Sequence, residues 1–232
     1  MKGFNFSGNT IEAECGVMGI SLAKEAQRRS LSGVEFMIGF PGTIGGNVYM
    51  NAGAHGQSTA DCFVSCEAFD KETGKIITLT NKELEFGYRK SILSEKNYIL
   101  ISAKFELKPK EQTQIDDIMT RNIEFRKTHQ PSLAMPNAGS VFKNPEGDSA
   151  GRLLELAGVK TLTCGDAQVF EKHANFIINT NNATSEDISQ LMFKMYNAVK
   201  EKYTIRLTPE IRFIGEKTAK EQEIWKELLS EK

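Results

Sequence analysis

The segment Gly39-Phe-Pro-Gly-Thr-Ile-Gly-Gly-Asn-Val-Tyr-Met-Asn-Ala-Gly-Ala-His-Gly56 is the part of this chain that decides its fold. Six of its eighteen residues are glycine, which leaves room for a flat or phosphorylated ligand to lie against the backbone. It is neither a Walker loop nor a Gly-x-Gly-x-x-Gly dinucleotide fingerprint. A plain glycine-rich turn between strands is one interpretation. The interleaved apolar residues favour the other, an ordered and buried loop.

The composition is that of an ordinary globular protein. The 232 residues are 40% hydrophobic and 25% charged, with a formal net charge of −1 and scattered basic residues. We therefore expect neither a nucleic-acid-binding surface nor a membrane span. The first residues contain no apolar export signal, which predicts a cytoplasmic protein, and we expect a monomer. The three histidines and four dispersed cysteines predict reduced thiols and no metal site.

Local patterns predict an α+β fold with mixed sheets and two lobes. Alternating apolar residues predict hairpins at 4–13 and 63–79, a strand at 98–107 and two short strands within 167–179. Helical spacing predicts helices at 18–30, from 112 to before Pro131, after a Ser149 cap, and at 185–202. A loop-rich stretch from 131 to 147 leads into the second lobe. A strand at 210–214 and a charged helix containing Trp225 end the chain.

Six motifs occur in order along nearly the whole chain. They are Gly-Phe-Pro-Gly-Thr-Ile-Gly-Gly-Asn-Val-Tyr-Met-Asn-Ala-Gly-Ala (39–54), Phe-Gly-Tyr-Arg-Lys-Ser (86–91), Ala-Gly-Ser-Val-Phe-Lys-Asn-Pro (138–145), Ser-Ala-Gly-Arg-Leu-Leu-Glu (149–155), Lys-His-Ala-Asn-Phe-Ile-Ile-Asn (172–179) and Pro-Glu-Ile-Arg-Phe-Ile-Gly (209–215). Together they resemble the UDP-N-acetylenolpyruvoylglucosamine reductase family, flavoenzymes that make UDP-N-acetylmuramate for bacterial peptidoglycan. The continuous run between residues 89 and 140 is similar to the shorter branch of that family.

The resemblance implies a two-lobed α+β fold, in which part of a vanillyl-alcohol-oxidase-like FAD-binding domain precedes a C-terminal α+β substrate-binding domain. It implies three parts: a second FAD-binding lobe at 1–130, the substrate-binding domain at 131–206, and a strand and helix at 207–232 that return to the FAD-binding domain. Family members also carry an N-terminal lobe with a Gly-x-Gly-Ser-Asn segment around the FAD pyrophosphate. Nothing before Gly39 resembles that segment, so we expect either a start upstream of Met1 or a truncated form.

The resemblance also implies the chemistry. NADPH would reduce FAD, and UDP-N-acetylglucosamine enolpyruvate would receive a hydride at C3 and a proton at C2. The residues implied to contact FAD all belong to the glycine-rich segment: Pro41, Gly42, Thr43, Gly45, Gly46, Asn51, Ala52 and Gly53.

Three residues are implied to be catalytic. Arg89 would stabilise the negative charge that grows on the enolate, since a guanidinium matches a carboxylate with two parallel hydrogen bonds. Ser140 would give the proton to C2, and Glu210 would hydrogen-bond the enolate directly or through water. By residue type alone, the arginine is a surface residue, the serine a turn residue and the glutamate an exposed strand residue.

Six further residues are implied to bind substrate, on weaker grounds: Tyr88, Lys143, Asn144, Gln168, His173 and Asn175. Lys143 with Tyr88 would meet the UDP diphosphate or the NADPH phosphate, because the family uses one pocket for both ligands in turn. Asn144 would hydrogen-bond the sugar. His173 is equally well interpreted as a satisfied core or loop histidine.

Two other functions stay open. One is a different flavin oxidoreductase of the same architecture, against which the contexts of Arg89, Ser140 and Glu210 argue. The other is a truncated, non-catalytic protein that binds a nucleotide sugar without holding FAD. Uptake of added FAD by the purified protein distinguishes the flavoenzymes from the non-catalytic form.

Overall fold

The computed structural model describes residues 1–230, which fall into two compact units. The first unit is Met1–Glu124, and the second begins at Phe125, so that the boundary lies inside a long helix. Each unit mixes strands and helices and has its own hydrophobic core.

The first unit is built on antiparallel strands with helices packed against them. Its strands are β1 (Phe4–Ser7), β2 (Thr10–Glu14), β3 (Leu31–Ser32), β4 (Gly53–Ala54), β5 (Gln57–Ser58), β6 (Phe63–Asp70), β7 (Lys75–Thr80), β8 (Tyr98–Glu106) and β9 (Lys108–Pro109). Its helices are α1 (Gly19–Arg28), α2 (Ile44–Tyr49) and most of α3 (Gln112–His129). The main sheet has the strand order β1-β2-β8-β6-β7.

The alternating patterns of the first unit are confirmed. β1 pairs with β2 and β6 with β7, both antiparallel, as the two predicted hairpins require. The inward residues Ile11 and Ala13 of β2 are fully buried. On α1 the buried residues Leu22, Ala23 and Ala26 lie on one face, which is the helical spacing that the sequence showed.

The glycine-rich segment contains a helix that the sequence analysis interpreted as a loop. Helix α2 begins after Thr43, whose hydroxyl accepts a hydrogen bond from the amide of Gly46 (3.3 Å). Glycine in a helix interior costs about 1 kcal/mol relative to alanine, so local propensity argues against a helix here. Full burial of Ile44 and Val48 overrides that preference, because it removes two large apolar side chains from water.

The second unit combines a small sheet with three helices. Its strands are β10 (Asn137–Ser140), β11 (Thr163–Cys164), β12 (Ala167–Val169) and β13 (Phe176–Asn179), in the sheet order β10-β13-β12-β11. Its helices are α4 (Ala150–Leu156), capped by Ser149 as predicted, α5 (Ser185–Tyr203) and α6 (Ala219–Leu228). The core packs Met192, Met195 and Tyr196 of α5 with Trp225 of α6.

Two predictions for the second unit need correction. Within the described residues, the predicted strand at 210–214 does not form: one isolated bridge joins Phe142 to Pro209, and Phe213 then packs edge-on against Trp225 at 5.9 Å. β10, in turn, forms inside the stretch predicted to be loop, because its partner β13 is remote in sequence. The terminal helix α6 packs on α5. The return of residues 207–232 to the FAD-binding domain stays a prediction. The boundaries at 130 and 206 stay predictions.

All four cysteines are free thiols, and they differ in exposure. Cys62 and Cys66 are buried, and burial raises the pKa of each thiol to about 12. Cys15 and Cys164 are half-buried. Among residues 1–230, no helix is long and apolar enough to cross a bilayer, and no group of three or more His, Cys, Asp or Glu side chains is arranged to hold a metal ion.

Asn175 holds the backbone that follows β10. Its side chain is buried; Oδ1 accepts from the amide of Phe142 (2.9 Å), and Nδ2 donates to the carbonyl of the same residue (2.8 Å). The backbone carbonyl of Asn175 also accepts from the amide of Val141 (2.9 Å). Both polar groups of the Asn175 side chain therefore serve the backbone next to Ser140.

Removing the two side-chain hydrogen bonds between Asn175 and the Phe142 backbone should destabilise the second unit. We expect Asn175→Ala to lower its free energy of unfolding by about 2–4 kcal/mol, because a buried donor and a buried acceptor each lose their partner. Asn181→Ala, which removes an exposed bond to Asp166, is the control and should change stability by less than about 0.5 kcal/mol. Urea denaturation followed by circular dichroism measures both. A loss below 1 kcal/mol for Asn175→Ala would contradict the assignment.

Candidate functional site

A cavity of about 410 Å³ opens beside α2 in the first unit. Ligand pockets typically have volumes of about 300–1,000 Å³, so it is large enough for one planar ring system. Tyrosine rings, leucines and bare glycine backbone offer flat apolar surface. The residues that line it are Cys15, Gly16, Thr43, Gly45, Gly46, Tyr49, Leu93, Tyr98 and Leu100.

The two glycines of α2 have different roles. A Cβ added at Gly45 would lie 3.1 Å from the carbonyl oxygen of Cys15, so glycine here permits α2 to approach the chain that follows β2. A Cβ added at Gly46 would meet only the Thr43 hydroxyl, at 3.7 Å, and Gly46 is exposed. The absence of a side chain at Gly45 therefore serves packing, whereas Gly46, which also lines the cavity, has room for a side chain.

The fit of a flavin to these residues can be tested on the backbone donors. The amide of Gly45 donates to the Cys15 carbonyl (2.8 Å), and the amide of Gly46 donates to the Thr43 hydroxyl (3.3 Å). Both donors are thus already used and are poorly placed to bind a phosphate. The cavity suits the flat, largely apolar face of an aromatic ring system, so the residues present fit the flavin ring of FAD.

The other residues predicted to contact FAD support the loop and do not line this cavity. The Gly42 carbonyl accepts from the amide of Gly19 (2.9 Å), and the Ala52 amide donates to the Asn47 carbonyl (2.8 Å). Asn51 is buried; its Nδ2 donates to the Gly87 carbonyl (2.9 Å), and its Oδ1 accepts from the Ala60 amide (3.0 Å). Pro41 is exposed before α2, and Gly53 lies in β4.

Arg89 lies against the glycine-rich segment. Its φ is +54°, a left-handed conformation that is uncommon for a residue other than glycine and that costs of order 1–3 kcal/mol where it is strained. Nη2 donates to the Gly53 carbonyl (3.2 Å), and the guanidinium lies 5.0 Å from the ring centroid of the exposed Tyr88. The turn is closed by two backbone bonds between Gly87 and Lys90. The turn thus places the Arg89 side chain against the backbone of the glycine-rich segment.

In the second unit the backbone brings Ser140, Lys143 and Glu210 together. Ser140 ends β10, opposite Phe176. The register shifts between Asn137 and Ser140, where Gly139 has a φ of +79°. The Glu210 amide donates to the Val141 carbonyl (2.8 Å), and the Lys143 amide donates to the Thr208 carbonyl (2.8 Å). A second cavity, of about 200 Å³, lies beside β10.

The remaining predicted substrate residues have partners within the second unit. Oδ1 of Asn144 accepts from the Ala150 amide (3.0 Å) at the start of α4, and Gln168 is exposed on β12. His173 packs edge-on against Phe176 at 4.9 Å, and its Nδ1 accepts from the Asn175 amide (3.2 Å). Burial lowers the pKa of His173, which favours the neutral imidazole. These contacts favour the interpretation of His173 as a satisfied loop histidine.

The sequence analysis missed six residues of the first cavity: Cys15, Gly16, Tyr49, Leu93, Tyr98 and Leu100. None of them was given a ligand role, because nothing local distinguishes a side chain that faces a cavity from one in a core. Leu93 follows the Tyr-Arg-Lys-Ser motif by two residues, and Tyr49 lies inside the glycine-rich segment. Proximity to those motifs is the signal that could have found them.

Comparison with known families matches both units. Residues 130–214 match the C-terminal domain of UDP-N-acetylenolpyruvoylglucosamine reductase, and residues 1–80 match an FAD-binding domain. These matches, with the mixture of helices and strands, confirm the predicted α+β fold of an FAD-binding domain followed by a substrate-binding domain.

Individual relatives agree with that result. The chain is 44% identical over 210 residues to the UDP-N-acetylenolpyruvoylglucosamine reductase of Clostridium botulinum (strain Alaska E43 / Type E3), covering 90% of this chain and 68% of that protein. It is 46% identical over 210 residues to the enzyme of the same name from Streptococcus suis (strain 05ZYH33), covering 90% and 69%. The crystal structure of the Thermus caldophilus reductase superposes with a TM-score of 0.75 at 36% identity, covering 84% of this chain and 70% of that one. This chain therefore belongs to the UDP-N-acetylenolpyruvoylglucosamine reductase family.

Proposed function

We propose that this protein is an FAD-dependent oxidoreductase that reduces UDP-N-acetylglucosamine enolpyruvate to UDP-N-acetylmuramate with NADPH as electron donor, in peptidoglycan precursor synthesis. Family membership supports the reaction. The observation that carries the proposal is the placement of Arg89, an arginine in a left-handed conformation whose guanidinium contacts the glycine-rich segment. A nucleotide-sugar substrate and NADPH are consistent with a cytoplasmic location, and we propose a monomer.

Gly46, Tyr49 and Tyr98 are the residues that would hold the flavin ring, because they line the cavity beside α2. When bound, FAD supplies the hydride that C3 of the enolpyruvyl group receives. Asn51 and Gly53 would act through the loop, since their described contacts support its backbone and the Arg89 side chain.

Residues of this chain would then stabilise the negative charge of the enolate and supply the proton to C2. Arg89 would pair with the substrate carboxylate and stabilise the negative charge that spreads into it from C2. Glu210 would hydrogen-bond the same enolate, directly or through water. Ser140 would transfer its hydroxyl proton to C2, a role that a weak acid can perform because the accepting carbon is strongly basic.

Substrate binding is proposed for Tyr88, Lys143, Asn144 and Gln168, with Lys143 and Tyr88 on a diphosphate or phosphate. For Asn175 and His173 the contacts support a positioning role, since both serve the backbone next to Ser140 and to β13. The three-part division at residues 130 and 206 remains part of this proposal.

FAD should protect one cysteine from alkylation. Cys15 lines the cavity, whereas Cys164 lies in the second unit, and both are half-buried. With FAD at ten times its dissociation constant, we expect iodoacetamide to modify Cys15 about tenfold more slowly while Cys164 is unaffected. Cys62 and Cys66 should stay unmodified at pH 8, because burial raises the pKa of each thiol to about 12. Peptide mass spectrometry measures each site; equal rates at Cys15 with and without FAD would favour the non-catalytic alternative.

Gly46→Ala should separate stability from flavin binding. The added methyl meets no backbone atom, and alanine favours the helix, so we expect no loss of melting temperature. Because Gly46 lines the cavity, we expect the FAD dissociation constant to rise by about tenfold in Gly46→Ala, and by more with the larger side chain of Gly46→Val. Lys24→Ala, exposed on α1, is the control. Flavin fluorescence titration gives the affinity, and an unchanged affinity in both glycine variants would place the flavin elsewhere.

Ser140→Ala should remove the proton donor without removing reduction of the flavin. We expect NADPH-dependent bleaching of the flavin to persist and turnover of the enolpyruvyl sugar to fall by about 10²-fold, the scale of lost general acid catalysis. Ser132→Ala, in the exposed loop before β10, is the matched control and should keep full turnover. Stopped-flow absorbance and product assay measure the two steps. Normal turnover in Ser140→Ala would exclude this serine as the donor.

A further inference from the structure

We propose that Ser91 is a positioning residue that holds the Arg89 turn and one wall of the cavity against α2. This inference rests on the proposed function. Ser91 is fully buried, and its hydroxyl donates to the backbone carbonyl of Tyr49 at 2.7 Å. These residues are 42 positions apart in the chain. The bond therefore joins two segments that only the fold brings together.

The hydroxyl makes this bond in place of its usual local one. Ser91 precedes the 3₁₀ turn Ile92–Ser94 in an extended conformation, the position of an N-cap. A serine at that position normally accepts a hydrogen bond from an amide of the turn. Here no such capping bond forms. The hydroxyl is directed at α2.

The acceptor lies at the end of α2. Tyr49 is the last residue of that helix, and the last carbonyls of a helix have no partner within it. The Ser91 hydroxyl thus satisfies one of these carbonyls. Tyr49 lines the cavity together with Gly45 and Gly46 of the same helix. The bond therefore fixes the Ser91 segment to the side of the cavity that α2 forms.

The bond from Ser91 to Tyr49 matters because the Ser91 segment also contains Arg89 and a residue that lines the cavity. Two residues before Ser91 is Arg89, and two residues after it is Leu93, which is buried and lines the cavity. A second tether, from Nδ2 of Asn51 to the Gly87 carbonyl (2.9 Å), holds the other end of the same turn. The turn is thus fastened to the glycine-rich segment on both sides of the arginine.

The matched control is Ser94. Its hydroxyl donates to the Ser91 carbonyl (2.8 Å) within the same 3₁₀ turn, and it is exposed. Ser94→Ala therefore removes a hydroxyl three residues away without touching the bond to α2. Ser91→Cys keeps the volume with a weaker donor and serves as a second variant if Ser91→Ala folds poorly.

The first measurement needs no flavin. We expect the amides of Gly87 and Lys90 in the flavin-free protein to exchange with deuterium about tenfold faster in Ser91→Ala, with an intermediate rate in Ser91→Cys and no change in Ser94→Ala. Equal exchange in Ser91→Ala and Ser94→Ala would overturn the proposal. This result is independent of the proposed function, which fails separately if the unmodified protein binds no FAD.

The second measurement separates positioning from general structural support. We expect Ser91→Ala to raise the FAD dissociation constant and to lower turnover at saturating FAD, each by about tenfold, while Ser94→Ala stays within about twofold. If Ser91 acts through Arg89, the same change made in Arg89→Lys protein should lower turnover by less than about twofold. Suppose instead that Ser91→Ala lowers the melting temperature and reduces turnover by the same factor in Arg89→Lys protein as in the unmodified protein. Ser91 would then give structural support only, and the proposal would be wrong.

Discussion

The close approach of α2 to the chain after β2 is the constraint on which the first unit depends. The amide of Gly45 donates to the Cys15 carbonyl and the amide of Ile44 to the Val17 carbonyl, each at 2.8 Å. These bonds satisfy donors at the start of the helix that have no partner within it. They also seat Ile44 and Val48 in the core. The cavity follows from that seating, since residues of α2 and Cys15 form part of its lining.

In the second unit, the side chain of Asn175 holds the backbone that follows β10. Its sheet joins β10 to β13 at two paired positions, with a register shift between them. The side-chain amide group of Asn175 then continues the pairing by bonding to the backbone N–H and C=O of Phe142, which lies beyond the last paired residue of β10. The bridge at Pro209 extends this arrangement to Glu210. Residues proposed for proton transfer and enolate binding are thus held by backbone hydrogen bonds.

Much of the fold could be predicted because its signals are local. Alternation specified the hairpins of β1–β2 and β6–β7, and spacing specified α1 and α5. Helix α2 and strand β10 could not be predicted, because glycines weaken the one and a remote partner creates the other. At the candidate site, the motif around Arg89 was recognised, but the cavity residues Tyr98 and Leu93 were not. Their role depends on where the fold places the start of β8 and the 3₁₀ turn Ile92–Ser94 relative to α2.

By itself, the sequence determined the α+β class, the order of the motifs and the family to which the chain belongs. These follow from residue type and from the spacing and order of residues along the chain. Only the tertiary structure decided that Gly45 has no room for a side chain while Gly46 has, and that the Ser91 hydroxyl bonds to α2 and not within its local turn. Two adjacent glycines are equivalent in a sequence. They differ in the fold because a Cβ at Gly45 would meet the Cys15 carbonyl, whereas one at Gly46 would meet only the Thr43 hydroxyl.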